Sequence, residues 1–335
     1  MTPPLRVAYF DLGFSREEYT LNPRHYGGGA VAARYLKECL DIEFIVFAPA
    51  EALSNVGSDE QRARCITMAP ELCDALKRGY PLDSFMGEGK PYALPDLMLH
   101  PHTCVTLNRG ALNVPVVHFC GFDGKAGHPG NDYILLYDDT FTSQFGEKAK
   151  YVRIGKPIPL TYVPHPKAPY VFSCSRHDDH MNSLETARQC RRFGIHGYFA
   201  GPIHNNYPLL TEIDGRVTHY LGEIDEATKL GYYRHATLCC LPLQWDAPFN
   251  QTVIEAQGQG TPIWATRRGP FLTKYLQPGV NGFDSAVTNL TNAFDKAPGL
   301  SGAACWTAAS EYSVPVMVES FKTAFREIVD EWTAR

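Results

Sequence analysis

The amino-acid sequence predicts an α/β chain built as two doubly wound, Rossmann-like domains, and three observations carry that prediction. At 335 residues the chain has room for two domains of about 150 residues, each burying a core of its own. Short apolar runs alternate with segments of helical spacing, the signature of repeated βαβ units rather than of hairpins. Between the two sets of runs, residues 155–169 read GKPIPLTYVPHPKAP, with five prolines, which neither a helix interior nor a central strand accommodates. The expected organisation is a first domain over 1–155, a linker over 156–169, a second domain over 170–313 and a closing amphipathic helix over 314–335.

Composition bounds the function. Net charge is −5 and the isoelectric point about 6.2, so no global basic field draws the chain to nucleic acid or to an anionic membrane. No run approaches about 18 consecutive apolar residues, and MTPPLRVAYFDLG passes directly into a strand pattern, so the expectation is a cytoplasmic protein without a membrane span. Ten cysteines are scattered without repeated Cys-x-x-Cys spacing. Cys174, Cys239 and Cys240 fall in apolar runs and read as reduced, buried thiols.

The first domain opens on RVAYFDL at 6–12, an apolar strand. A polar loop leads to Gly27, Gly28 and Gly29, then Ala30, Val31, Tyr35, Leu36 and Leu40 follow helical spacing, and IEFIVFAP at 42–49 is the next strand. Glycines at a helix entrance let the backbone approach another group closely; triple glycine is also the composition of a loop without a ligand. LPDLMLHPH at 94–102 and NVPVVHFCGFD at 113–123 continue the series. They carry His100, His102 and His118 toward the carboxyl edge, where doubly wound sheets bind ligands. Each histidine is a candidate for catalysis and equally for a hydrogen-bonded wall position. NDYILLY at 131–137 is a further strand.

YVFSCSR at 170–176 opens the second series and delivers Arg176 to a strand end. The following HDDH, 177–180, alternates imidazoles and carboxylates that are competent metal ligands. GIHGYFAG at 194–201 and VTHYLGEID at 217–225 are strands, 226–235 a helix, and 236–243 a buried strand. The chemistry converges on 241–269, LPLQWDAPFNQTVIEAQGQGTPIWATRRG. There a strand end leads through a loop to a helix from Asn250 to Gln257, which Gly258 and Gly260 end before the strand TPIWAT. A helix starting where a parallel strand ends offers free N–H groups and a positive dipole end to phosphates. Glu255 is the exception on an otherwise apolar or small-residue helix. A carboxylate there accepts from two adjacent hydroxyls, such as those of a ribose, or else compensates the helix dipole.

This stretch resembles the donor-binding signature of retaining glycosyltransferases of the GT-B class, in the glycogen-synthase-like branch (glycosyltransferase family 4-like, glycosyl transferases group 1). That signature runs Glu-Pro-Phe-Gly-Leu-x-x-x-Glu-Ala, small residues, then Gly-Thr-Pro-Val-x-Ala-Thr. Pro248, Phe249, Glu255, Ala256, Gly260, Thr261, Pro262, Ala265 and Thr266 match it at the same spacing. Ala247 replaces the first glutamate, with Asp246 one position earlier, and Asn250 replaces the following glycine. Arg176 resembles the arginine of the family's Val-Gly-Arg, VTHYLG its Val-x-Phe-Leu-Gly turn and PGVNGF its Gly-x-x-Gly-Phe turn. The family's lysine a few residues after the arginine is absent, and His180, when protonated, is the residue placed to share its role.

The resemblance implies two domains facing a central cleft. It gives Glu255 the ribose and Arg176 the diphosphate. The donor sugar falls to Asp246 or to Asn250, Gln251 and Thr252, beside Phe249. Gly28 and Gly29 face the sugar and phosphates, and His118 contacts the sugar, which makes His118, Arg176 and Asp246 the implied catalytic set. The implied reaction moves a hexose or pentose from a nucleotide diphosphate donor to an acceptor hydroxyl, with retention, without metal and with no cofactor beyond the donor. The acceptor stays open among a small molecule, a glycan, a lipid and a modified nucleic-acid base, because variable loops of the first domain set it. Ala247 and the absent lysine leave room for a nucleotide-sugar-binding protein without transfer activity, and HDDH for a metal-dependent hydrolase.

Overall fold

The computed structural model describes residues 4–10, 36, 42–50, 65–100, 107–120, 131–136, 146–247 and 249–335. Gly28, Gly29, His102, Pro248 and, apart from Leu36, the helix expected after the glycines lie outside the described residues. The chain divides into two compact units, one of Met1–Gly155 with Val314–Arg335, the other of Lys156–Ser313.

The first unit holds strands β1 (Leu5–Phe10), β2 (Ile42–Ala48), β3 (Cys65–Thr67), β4 (Leu97–His100), β5 (Val116–Cys120), β6 (Tyr133–Leu136) and β7 (Ala149–Tyr151). They form one parallel sheet in the order β3-β2-β1-β4-β5-β6-β7. The five strands expected from apolar runs are present. β3 and β7 are three-residue edge strands without a fully buried position, which is why no apolar run announces them. Helix α1 (Pro70–Arg78) buries Leu72 and Leu76 among Phe10, Phe47 and Met98.

The second unit repeats the plan with β8 (Ala168–Cys174), β9 (His196–Ala200), β10 (Thr218–Gly222), β11 (Ala236–Leu241), β12 (Ile263–Ala265) and β13 (Gly282–Asp284). Their order is β10-β9-β8-β11-β12-β13, again parallel. Helix α2 (Ser183–Phe193) follows β8, the single turn α3 (Pro208–Thr211) follows β9, and α4 (Glu226–His235) leads into β11. Next come α5 (Gln251–Gly258), α6 (Gly269–Tyr275), α7 (Leu290–Lys296) and α8 (Gly302–Ser310). Alternate residues of β11 face opposite cores: Cys239 and Leu241 pack with Val253 and Ile254 of α5, while Leu238 and Cys240 pack with Cys190 of α2 and Leu290 of α7.

One segment departs from simple expectation. The proline-rich run 156–169 is packed rather than free: Pro159 O accepts from Trp306 Nε1 at 2.9 Å, and the Tyr162 ring lies against Gly260 and Gly302, where any Cβ would collide with it. The closing helix α9 (Val314–Thr333) belongs to the first unit. Phe321 meets Phe119 edge-on at 5.3 Å, Arg153 N donates to Ser320 Oγ at 3.0 Å, and Trp332 Nε1 donates to Asn113 Oδ1 at 3.1 Å.

Candidate active site

In the second unit β8 lies beside β11 at the point where strand order reverses, the place where an open parallel sheet leaves a crevice at its carboxyl edge. Backbone bonds lace that edge: Ser175 N donates to Ala200 O at 3.1 Å, His177 N to Pro202 O at 2.8 Å and Gly201 N to Gly222 O at 2.8 Å. Gly201 has φ +115°, and a Cβ there would stand 2.1 Å from Ser175 O, so glycine alone permits this approach.

Arg176 emerges from the end of β8 with its side chain 59 % exposed, and its Nε and Nη2 contact Asp178 Oδ2 at 2.9 and 2.8 Å. The other oxygen of Asp178 accepts from His180 N and Met181 N at 3.0 and 3.2 Å, capping a 3-10 turn before α2. His177 turns away from both. It is fully buried with Nδ1 2.8 Å from Ser183 Oγ, and burial drives its pKa down to about 4, which keeps the imidazole neutral. The HDDH run therefore builds a helix entrance. Among the described residues no three His, Cys, Asp or Glu side chains converge as metal ligands.

The loop after β11 and the start of α5 use most of their polar groups locally. Asn250 caps α5 by accepting from Val253 N at 3.2 Å, and Thr252 Oγ1 donates to Cys174 O at 3.0 Å, fastening the helix start to the end of β8. Phe249 packs 4.9 Å from the Phe271 ring and 5.8 Å from Tyr312. Gln251 is the first residue of the helix. Ala247, at the position where the signature the sequence resembles has its first glutamate, is fully buried in the core beneath, and its backbone lies so close to Gly269 (φ +73°) that a Cβ there would come within 2.8 Å of it. Asp246 is 66 % exposed and pairs with Arg268 Nε at 2.7 Å.

Glu255 is nearly sealed, at 5 % exposure, and carries one lysine on each oxygen: Lys156 Nζ at 2.6 Å on Oε1 and Lys229 Nζ at 2.9 Å on Oε2. Lys229 also reaches the exposed Glu226 at 2.8 Å. Burial alone would raise the Glu255 pKa, but the two ammonium groups outweigh it and hold the group below its ordinary value. Burial likewise opposes the charge on Lys229, and Glu255 and Glu226 together reverse that, leaving its pKa raised. Neither lysine was singled out by sequence. Lys229 carries the mild signal of an i,i+3 partner in Glu226 on a predicted helix; Lys156, ninety-nine positions before Glu255 in the chain, carries none. In the first unit His118 lies across the sheet from His100 with rings stacked at 4.9 Å, and both are buried. His100 Nε2 is 3.0 Å from Asn131 Oδ1.

No protein-family model and no curated protein sequence matches the chain. Solved structures do. AviGT4, a glycosyltransferase involved in avilamycin A biosynthesis, superposes with a TM-score of 0.69 at 17 % identity, covering 98 % of both chains. Anabaena Alr3699/HepE in complex with UDP gives 0.69 at 12 % identity over 96 % of this chain and 100 % of that one. The lipopolysaccharide outer core galactosyltransferase WaaB gives 0.64 at 12 % identity over 96 % and 99 %. The chain has the GT-B fold. Within that fold Arg176 follows the carboxyl end of β8, the loop after β11 leads to the start of α5, and Glu255 is buried on that helix, all in the second unit, while His118 belongs to the first.

Proposed function

We propose that this GT-B chain is a glycosyltransferase that moves a sugar from a nucleotide diphosphate to an acceptor hydroxyl, with retention and without a metal or further cofactor. The observation that carries the proposal is Glu255, an ionised carboxylate held on the second turn of α5, the helix that starts at the switch point of the second sheet, with Arg176 at the adjoining strand end. A carboxylate there accepts from the ribose hydroxyls, and the solved neighbours include a glycosyltransferase and, separately, a protein in complex with UDP and with UDP-glucose. As the bond from the anomeric carbon to the diphosphate breaks, the leaving group gains charge. Arg176 and the first amides of α5 stabilise that charge more in the transition state than in the ground state. We assign Asp246, the exposed carboxylate of the loop, to the donor sugar, His118 to the sugar from the first domain, and the working location to the cytoplasm. Among the described residues no helix is long and apolar enough to cross a membrane.

A panel of UDP-, GDP- and ADP-sugars tested by thermal shift decides the donor, because a ligand at about 100 times its Kd stabilises by about 2.7 kcal/mol. A panel in which no nucleotide sugar or free nucleoside diphosphate raises the midpoint refutes the proposal. A second reading, nucleotide-sugar binding without transfer, is favoured by one observation: the position of the family's first glutamate is a buried alanine. Release of free nucleoside diphosphate from the bound donor separates an active enzyme from a binding protein.

A further inference from the structure

The lysine on Glu255 Oε1 comes from the crossing between the two units. The chain enters the second unit at Lys156 and leaves it at Ser313, and these two ends are bonded to each other within that unit. Lys156 N donates to Tyr312 O at 2.8 Å, and Lys156 forms an isolated parallel bridge with Ser313. The Lys156 side chain runs inward, 8 % exposed, to Glu255. Two residues on, Ile158 lies against Gly258, where a Cβ would stand 3.2 Å from its Cγ2, so the segment follows α5 to its end.

The two lysines are not equivalent. Lys229 divides itself between Glu255 and Glu226, whereas among the described residues the ion pair of Lys156 is with Glu255 alone. We infer that Lys156 is a positioning residue that fixes the Glu255 carboxylate from the crossing strands, so that occupancy of Glu255 by a ligand diol and the conformation of the crossing are coupled. The inference rests on the proposed role of Glu255 in holding a ribose. The carboxylate offers about four acceptor sites and the lysines take one on each oxygen, so a ligand diol adds its bonds beside theirs and tightens the hold on Lys156, whose backbone holds Tyr312 and Ser313. Such coupling is reciprocal: whatever alters the crossing alters affinity at Glu255 by the same factor.

Hydrogen exchange of the full-length chain with and without UDP, read over peptides spanning 153–160 and 310–316, tests this, with β8 and β11 as internal reference. UDP is expected to slow exchange at the crossing in the wild type. Glu255→Gln is expected to speed it without any ligand. Lys156→Met is expected to abolish the UDP effect and to weaken UDP binding at least about tenfold, a difference of about 1.4 kcal/mol, and Lys156→Arg, which keeps the charge, to restore both. UDP binding that leaves the crossing amides unchanged overturns the coupling, as does a Lys156→Met chain that retains both protection and affinity. Should Lys156→Met fail to fold, the wild type and Glu255→Gln still decide. If the wild type binds no nucleoside diphosphate, the functional reading fails, and the ligand-free comparison of Glu255→Gln with wild type still tests the link between Glu255 and the crossing.

Discussion

Glu255 with its two lysines makes this chain sensitive to single atoms. Replacing the carboxylate by Gln takes the ion pair from buried Lys156 and leaves Lys229 with Glu226 alone, and removing one partner of a buried pair costs about 3–5 kcal/mol. A lowered denaturation midpoint is therefore expected for Glu255→Gln, along with weaker nucleotide binding. The depressed pKa fixes the sign with pH: stability from this carboxylate is present above its unfolded value of 4.5 and is lost as pH falls through the lower folded value. His177 acts at milder acidity. The unfolded chain takes up a proton near pH 6.5 that the buried imidazole refuses until about pH 4, so stability declines across that window by up to about 3 kcal/mol. Denaturant titrations at several pH values should find this decline flattened in His177→Asn, and an unchanged slope would remove His177 as its source. Arg176 stands apart because it is exposed. Arg176→Ala should weaken UDP far more than uridine, and equal losses would remove it from the diphosphate.

At the scale of elements, legibility followed burial. The helix α5 was readable because Asn250 has the side chain of a cap and Gly258 and Gly260 break the helical pattern that follows it, and β11 because every one of its residues is buried. The HDDH turn was opaque, since the sequence cannot tell an Asp that ligates from an Asp that caps, and Asp178 caps. Lys156 was opaque for another reason: its partner is set by the tertiary path of a proline-rich segment, which periodicity does not encode. The substitution at Ala247 was visible, but its direction was not. That side chain points into the core with Leu243, Val253 and Phe271, so Ala247→Glu is expected to destabilise by about 3 kcal/mol or more through a buried, unpaired charge rather than to restore a sugar contact. Calorimetric unfolding checks this, and an unaltered midpoint would mean the loop turns the new carboxylate outward.

Across the whole molecule, the first unit depends on a helix from the far end of the chain. Met317, Phe321, Phe325 and Ile328 of α9 are fully buried, each worth about 1.5–3 kcal/mol on burial, together comparable with the entire stability of a typical domain. A chain ending at Ser313 should therefore lose cooperative unfolding of the first sheet, whereas residues 156–313 alone should unfold in a single transition. Circular dichroism melts of both fragments measure this, and a truncated chain melting like the full one would contradict it. The same interruption of one unit by the other governs the order of events on the ribosome. At about 5–20 residues per second, the β1 to β7 sheet emerges first, yet waits on the order of ten seconds, while all of 156–313 is made, for the helix that covers Phe119. The later-made domain is the first to have every residue it needs, so during synthesis the face of the first sheet that α9 will cover is expected to stay exposed the longest.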